Sequence, residues 1–181
     1  MIITPVKIMN DTSNDFCDRP VNKNRTDSAD SKKPDTFFQY KIKSSTDQIT
    51  KTIQKFDQLL DNHNCCSFRT KSELSTALSE ALANAIIHGN KIDPEKFVDL
   101  KIQIYKDRMV LKIKDRGKGF DYTKLPNPLK PENIKKPSGR GVYLMSVLVD
   151  KVEFVKHKSG MEVILIKYLY KCNQSKNLNI A

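Results

Sequence analysis

Four segments of this chain alternate apolar with polar residues, and they come in two adjacent pairs. FVDLKIQIYK and MVLKIKD are joined by the tight Lys106-Asp107-Arg108 turn, and KVEFVKHK and MEVILIKYLY flank Ser159-Gly160. A period of two is the mark of a half-buried strand, and so short a connection makes each pair an antiparallel hairpin. An earlier segment, FFQYKIKS, alternates in the same way through Phe38, Tyr40 and Ile42. A sheet built from these strands exposes an apolar face that something must cover. Three stretches of helical period can do so. Ile49, Ile53, Phe56, Leu59 and Leu60 follow Ser44, Ser45 and Thr46, any of which can cap a helix. Leu74, Leu78, Ala81, Leu82, Ala85 and Ile86 place a second helix at about Ser72 to His88, with Gly89 as its C-terminal stop. Val142, Leu144, Met145, Val147, Leu148 and Val149 form a third, after Gly139-Arg140-Gly141. The order strand, helix, helix, strand, strand, loop, helix, strand, strand predicts an α+β fold. It is a two-layer α/β sandwich whose mixed, mainly antiparallel sheet is covered on one face by helices.

The 181 residues suit one domain with an appendage, and 38% hydrophobic residues can supply its core. Residues 1–35 are rich in Asn, Asp, Ser, Lys and Pro and short of large apolar side chains, which predicts a disordered or loosely packed leader. Residues 36–170 are the expected domain and 171–181 a tail. The leader holds six Lys/Arg and six Asp, so the whole formal charge of +11 belongs to the remainder. Such a charge suits nucleic acid, a membrane surface, or an acidic partner or ligand. Its basic residues are scattered, with no aromatic-interleaved patch of the kind that binds single strands, so direct nucleic-acid binding is not expected. Cys17, Cys65, Cys66 and Cys172 have neither CxxC spacing nor a His at metal-finger distance, and a bond between adjacent cysteines is strained. They are expected to be free thiols. There is no signal-peptide pattern and no run of about 18 apolar residues, which predicts a cytoplasmic chain without a membrane segment.

Three short motifs carry the chemistry. In SEALANAIIHGN, Glu80 and Asn84 stand four apart on a helix and point the same way. A carboxylate above a carboxamide can hold part of a divalent ion's shell and orient or deprotonate a hydroxyl. Taken alone, the pair also reads as an exposed Glu and Asn on a solvated face. In DRGKGF, Asp115 ends a strand where it can accept a hydrogen bond from an exocyclic amine, and Gly117 and Gly119 let backbone approach a ligand closely. In SGRGVYL, Gly139, Arg140 and Gly141 form a glycine-rich turn at a helix N-terminus, where free N–H groups and the helix dipole favour phosphate. Between the last two motifs, residues 117–141 read as a long loop containing Pro126, Pro128, Pro131 and Pro137. His88 and Asn90 are expected to be structural.

The series resembles the N box and the two glycine boxes of the GHKL ATPases, the superfamily of gyrase, histidine kinases and MutL with the Bergerat ATP-binding fold. SEALANAIIHGN, DRGKGF and PSGRGVYLM are most similar to the anti-sigma factor serine-protein kinases of the RsbW type, over about Phe38 to Leu169. The resemblance implies that Glu80 is the general base and that Asn84 binds Mg2+ bridging the phosphates of ATP. Asp115 would take the adenine amino group, Gly117 and Gly119 would admit the base, and Gly139, Arg140 and Gly141 would border the phosphates. The proline-rich loop would be the ATP lid. It further implies a homodimer that phosphorylates a Ser of an anti-anti-sigma (STAS) partner and also binds a sigma factor. The alternative is a nucleotide-dependent binding module with little or no kinase activity. A sensor histidine kinase is not expected, because Glu80 stands where those usually have Asn, and His63, His88 and His157 all lack a phosphoacceptor helix context. The third box departs from some relatives by carrying Pro137 where they have Arg. Lys135, Lys136 and Arg140 lie near it, but a lysine offers charge without the bidentate fork.

Overall fold

A computed structural model describes residues 33–63, 67–118 and 139–169. The leader up to residue 32, the four cysteines, Gly119, Pro137, most of the expected lid and the tail lie outside the described residues. The first strand, β1 (Thr36–Lys43), leads into helix α1 (Asp47–His63), and α2 (Phe68–Ala83) follows. Strands β2 (Phe97–Ile104) and β3 (Arg108–Lys114) form the first hairpin. Helix α3 (Arg140–Leu148) then precedes the second, β4 (Lys151–Lys156) and β5 (Met161–Tyr168). The sheet order is β1-β2-β3-β5-β4, and every pairing among the described strands is antiparallel, so the sheet is not mixed there. The expected two layers are present.

Alternation decides which face is covered. Val98, Leu100, Ile102 and Ile104 of β2 point into the core, as do Met161, Val163 and Leu165 of β5. Leu74, Leu78, Leu82 and Ile86 meet them with no exposed surface, and Phe56 of α1 and Met145 of α3 complete the layer. Burying a Leu or Ile of this size contributes about 1.5–3 kcal/mol. On the opposite face, which no helix among the described residues covers, Lys101 of β2 sits directly across from Lys112 of β3, and Lys114 lies between Asp99 and Glu162. Part of the positive charge is therefore spread over open sheet. No helix among the described residues is long and apolar enough to cross a membrane.

Two helix boundaries differ from expectation. Helix α2 starts four residues before Ser72, because Ser67 Oγ accepts a hydrogen bond from Thr70 N (3.2 Å) and caps it. Nor does it run as an α-helix to His88: Asn84–Gly89 is a six-residue π-helix. Nothing in the local sequence demands that wider turn. It fits the contacts made beyond it, where Gly89 and the fully buried Asn90 meet the end of β3.

Candidate functional site

The C-terminal end of α2 is where the motifs converge. Glu80 and Asn84 are partly buried there, and Gly141 in the first turn of α3 lies over both. A Cβ added at Gly141 would stand 2.7 Å from Glu80 Oε2 and 3.5 Å from Asn84 Nδ2. Only glycine leaves the carboxylate in place. The Glu80 carboxylate makes no hydrogen bond or ion pair among the described residues. Asn84 Nδ2 is buried and has no partner, alone in this respect among the described side chains. A buried amide group without a partner costs about 1–3 kcal/mol, which marks the spot as one prepared for something else. Its terminal O and N are interchangeable by a half-turn, so the amide can present either a donor or an oxygen ligand.

Helix α3 begins at Gly139, whose φ of 87° is left-handed, and no side chain caps it. Glycine at this position can supply no capping side chain to the first-turn N–H groups, and Arg140 is exposed beside them. Beyond Gly89, Asp115 is only 6% exposed. Its Oδ1 accepts from Gly117 N (2.8 Å) and Met161 N (3.2 Å), which fixes the carboxylate and leaves Oδ2 without a partner among the described residues. Three glycines make this packing possible. A Cβ at Gly89 would lie 2.6 Å from Asp115 Oδ2, one at Gly117 would strike the Gly89 carbonyl, and one at Gly160 would strike the Asp115 carbonyl. Gly160, at φ 105°, also closes the β4–β5 turn by accepting from His157 N (3.0 Å). Gly119 lies outside the described residues.

Asn90 ties these parts together. Its Oδ1 accepts from Arg116 N (2.7 Å), and its Nδ2 donates to Ser44 Oγ (2.6 Å) and to the Phe97 carbonyl (3.1 Å). One side chain thereby fixes the Asp115-Gly117 turn against the end of β1 and the start of β2. The chain leaves this point through Lys91 and Ile92, both left-handed at φ 60° and 55°. For a residue with a Cβ that conformation costs about 1–2 kcal/mol. Asn90 is structural, as expected, while His88 is exposed and makes none of these bonds.

The close approaches of Gly141 to Glu80 and Asn84, and of Gly89 to Asp115 and Gly117, bring the three motifs side by side. The profile of the family described as histidine kinase-like ATPase domain matches residues 42–167. The chain belongs to that family. Within this ATPase-domain family it is similar to serine-protein kinase RsbW of Bacillus cereus (strain ATCC 10987 / NRS 248), at 31% identity over 103 residues. That match covers 54% of this chain and 63% of the relative. RsbW of Bacillus mycoides (strain KBAB4) is 30% identical over the same length and share. The chain thus matches less than two thirds of these relatives' length. In fold it is similar to the crystal structure of the RsbU and RsbW domains of Rv1364c from Mycobacterium tuberculosis. The TM-score is 0.55 at 12% identity, covering 74% of this chain and 32% of that one.

Of the residues singled out in the sequence, Glu80, Asn84, Gly139, Arg140 and Gly141 meet at one end of α2, and Asp115 and Gly117 are joined to them through Gly89. What the sequence did not disclose is the role of Gly89 as spacer and of Gly160 as a floor beneath Asp115. Gly160 carried only a turn signal. Its close approach to a strand 45 residues earlier in the chain has no local signature.

Proposed function

We propose that the protein is an ATP-dependent serine/threonine kinase of the anti-sigma type, which phosphorylates a Ser on an anti-anti-sigma (STAS) partner and also binds a sigma factor. The observation that carries this is the Asn84 amide nitrogen beside the Glu80 carboxylate beneath Gly141, neither with a hydrogen-bond partner among the described residues. Similarity to the RsbW kinases supports the reaction class. Asp115 Oδ2, which has no partner among the described residues, suits the amino group of adenine, while Gly117 leaves no side chain in the turn that Asp115 Oδ1 holds. The glycine-flanked turn Gly139-Arg140-Gly141 at the start of α3 suits the phosphates.

The donor set fits Mg2+ as well. Among the described residues no group of three or more His, Cys, Asp or Glu could hold a metal. One amide oxygen from Asn84 is what a Mg2+ ion needs when phosphates and waters provide its other ligands. Bound there, Mg2+ would neutralise phosphate charge. Glu80 would then accept the proton of the incoming serine hydroxyl, within a site that otherwise positions and excludes water. A cytoplasmic homodimer is the proposed form of the protein, and the partner is protein rather than nucleic acid, since Asp99 and Glu162 interrupt the lysines of the open face.

Titration of Asn84→Ala and Glu80→Ala with a nonhydrolysable ATP analogue and Mg2+, followed by label transfer from ATP to a STAS protein, tests these roles. Asn84→Ala is expected to lose Mg-ATP binding, and Glu80→Ala to keep nucleotide but lose transfer. Equal loss of binding in both would contradict the assignment. Normal ATP binding by the wild-type protein with no transfer to any STAS acceptor would favour a nucleotide-dependent binding module instead.

A further inference from the structure

Lys167 occupies the last inward position of β5, in line with Met161, Val163 and Leu165, and is 8% exposed. An apolar residue would suit that row. The ammonium instead makes two contacts, an ion pair with Glu73 Oε2 of α2 (2.6 Å) and a hydrogen bond donated to the Leu148 carbonyl at the end of α3 (2.8 Å). Arg69 holds the other Glu73 oxygen at 2.9 Å. A lysine at a helix C-terminus also meets the negative end of the dipole.

The spacing gives these contacts a purpose. Glu73 and Glu80 are seven residues apart and so share one face of α2, separated by about 10.5 Å along its axis. Gly141 and Leu148 are likewise seven apart on α3, at the same rise of about 10.5 Å. Gly141 sits on Glu80 and Leu148 is bound at the level of Glu73, so α3 runs back along α2 and is held at both ends of an equal span. One end is the candidate site. The other is a charge cluster with no direct contact to it.

We propose that Lys167 is a positioning residue: by binding Glu73 and the Leu148 carbonyl at once, it sets the register of α3 along α2 and so places the Gly139-Arg140-Gly141 turn over Glu80 and Asn84. Resting on the nucleotide site proposed above, the clamp acts on ATP only through α3. Buried ion pairs add little to stability compared with apolar residues of similar volume, and a role in fixing register explains the charge better than stability does.

Three variants of the full-length protein test this. Lys167→Met with Glu73→Met removes both charges together and is expected to fold, with a melting temperature near that of wild type. Its dissociation constant for ATP should nevertheless rise about tenfold or more, as the turn loses its placement. The exchanged pair, Lys167→Glu with Glu73→Lys, restores a link between β5 and α2 but cannot donate from position 167 to the Leu148 carbonyl. It should fail to rescue ATP affinity. Lys167→Arg keeps both contacts and should bind ATP within about threefold of wild type. Wild-type affinity in the folded Met pair, or full rescue by the exchanged pair, would overturn the proposal. So would a Met pair that cannot fold, since the charges would then serve the fold itself. Wild-type protein that bound no ATP would remove the nucleotide site and the clamp's purpose with it.

Discussion

Replacing Gly141 with Ala should separate catalysis from folding at a single atom. The new Cβ would approach Glu80 Oε2 to 2.7 Å, about 0.7 Å short of the 3.4 Å at which ordinary contact begins, while Asn84 Nδ2 at 3.5 Å is undisturbed. Oε2 is the far end of a side chain that makes no other bond among the described residues, so Glu80 can swing aside. A rotation of about 30° off its rotamer costs about 0.5–1.5 kcal/mol. Against this, Ala is better than Gly in a helix by up to about 1 kcal/mol. The two nearly cancel, and the melting temperature should stay within about 4 °C of wild type. Catalysis has no such offset. A positioned general base contributes about 10²- to 10⁴-fold, and moving it by most of an ångström should cost about 10- to 100-fold in rate. Thermal melts, calorimetric titration with an ATP analogue, and the rate of label transfer from ATP would be measured on the same preparation. Stable, ATP-binding Gly141→Ala protein that transferred phosphate at the wild-type rate would refute the assignment of Glu80 as base.

Other perturbations test the frame around the site. Gly117→Ala puts its Cβ on the Gly89 backbone, which cannot rotate away, so both stability, by about 1–3 kcal/mol, and ATP binding should fall; an unchanged melt would contradict the packing. Burial pushes the Glu73 carboxyl up, but hydrogen bonds from Lys167 and then Arg69 outweigh it and hold the group below its ordinary value of 4.5. A carboxyl lowered in the folded state stabilises above its unfolded value and loses that contribution as pH falls through the folded one. Glu73→Gln should therefore be less stable than wild type at neutral pH, with the gap in urea midpoint closing as pH drops below 4.5; a gap constant with pH would exclude the charge as its source. Leu82→Ala, at a position with no exposed surface between α2 and the sheet, should lose about 2–5 kcal/mol in chemical denaturation, and a loss under 1 kcal/mol would contradict the burial.

Much of this was legible in the sequence, because strands announce themselves by alternation and hairpins by short turns. Phe97 to Lys114 and Lys151 to Tyr168 form the strands expected of them. The third helix lies where it was expected, though it begins at Arg140, inside the glycine turn and not after it. The candidate site residues were readable as a series because each sits at the end of an element with a clear period. What escaped depends on contacts between distant parts of the chain. Asn90 bonds to Ser44, 46 residues away, and nothing near either residue signals the pairing. Lys167 breaks an apolar row for the sake of a helix end 19 residues earlier. The π-helical turn was read as α because Ala85, Ile86 and Ile87 suit both windings. Its position reflects what Gly89 and Asn90 must reach.

The π-helical segment also makes chain length, and not only residue type, a critical quantity at this point. A π-helical turn holds one residue more than the α-helical turn it replaces, so losing one residue between Asn84 and Gly89 would let an ordinary helix re-form with Gly89 and Asn90 near their present direction, whereas gaining one would swing everything beyond it by about 100°, a quarter turn. Gly89 would leave Asp115, and Asn90 would lose Ser44, Phe97 and Arg116 together. Side chains on this stretch can vary where they face solvent, as His88 does, but an insertion there has nowhere to be absorbed.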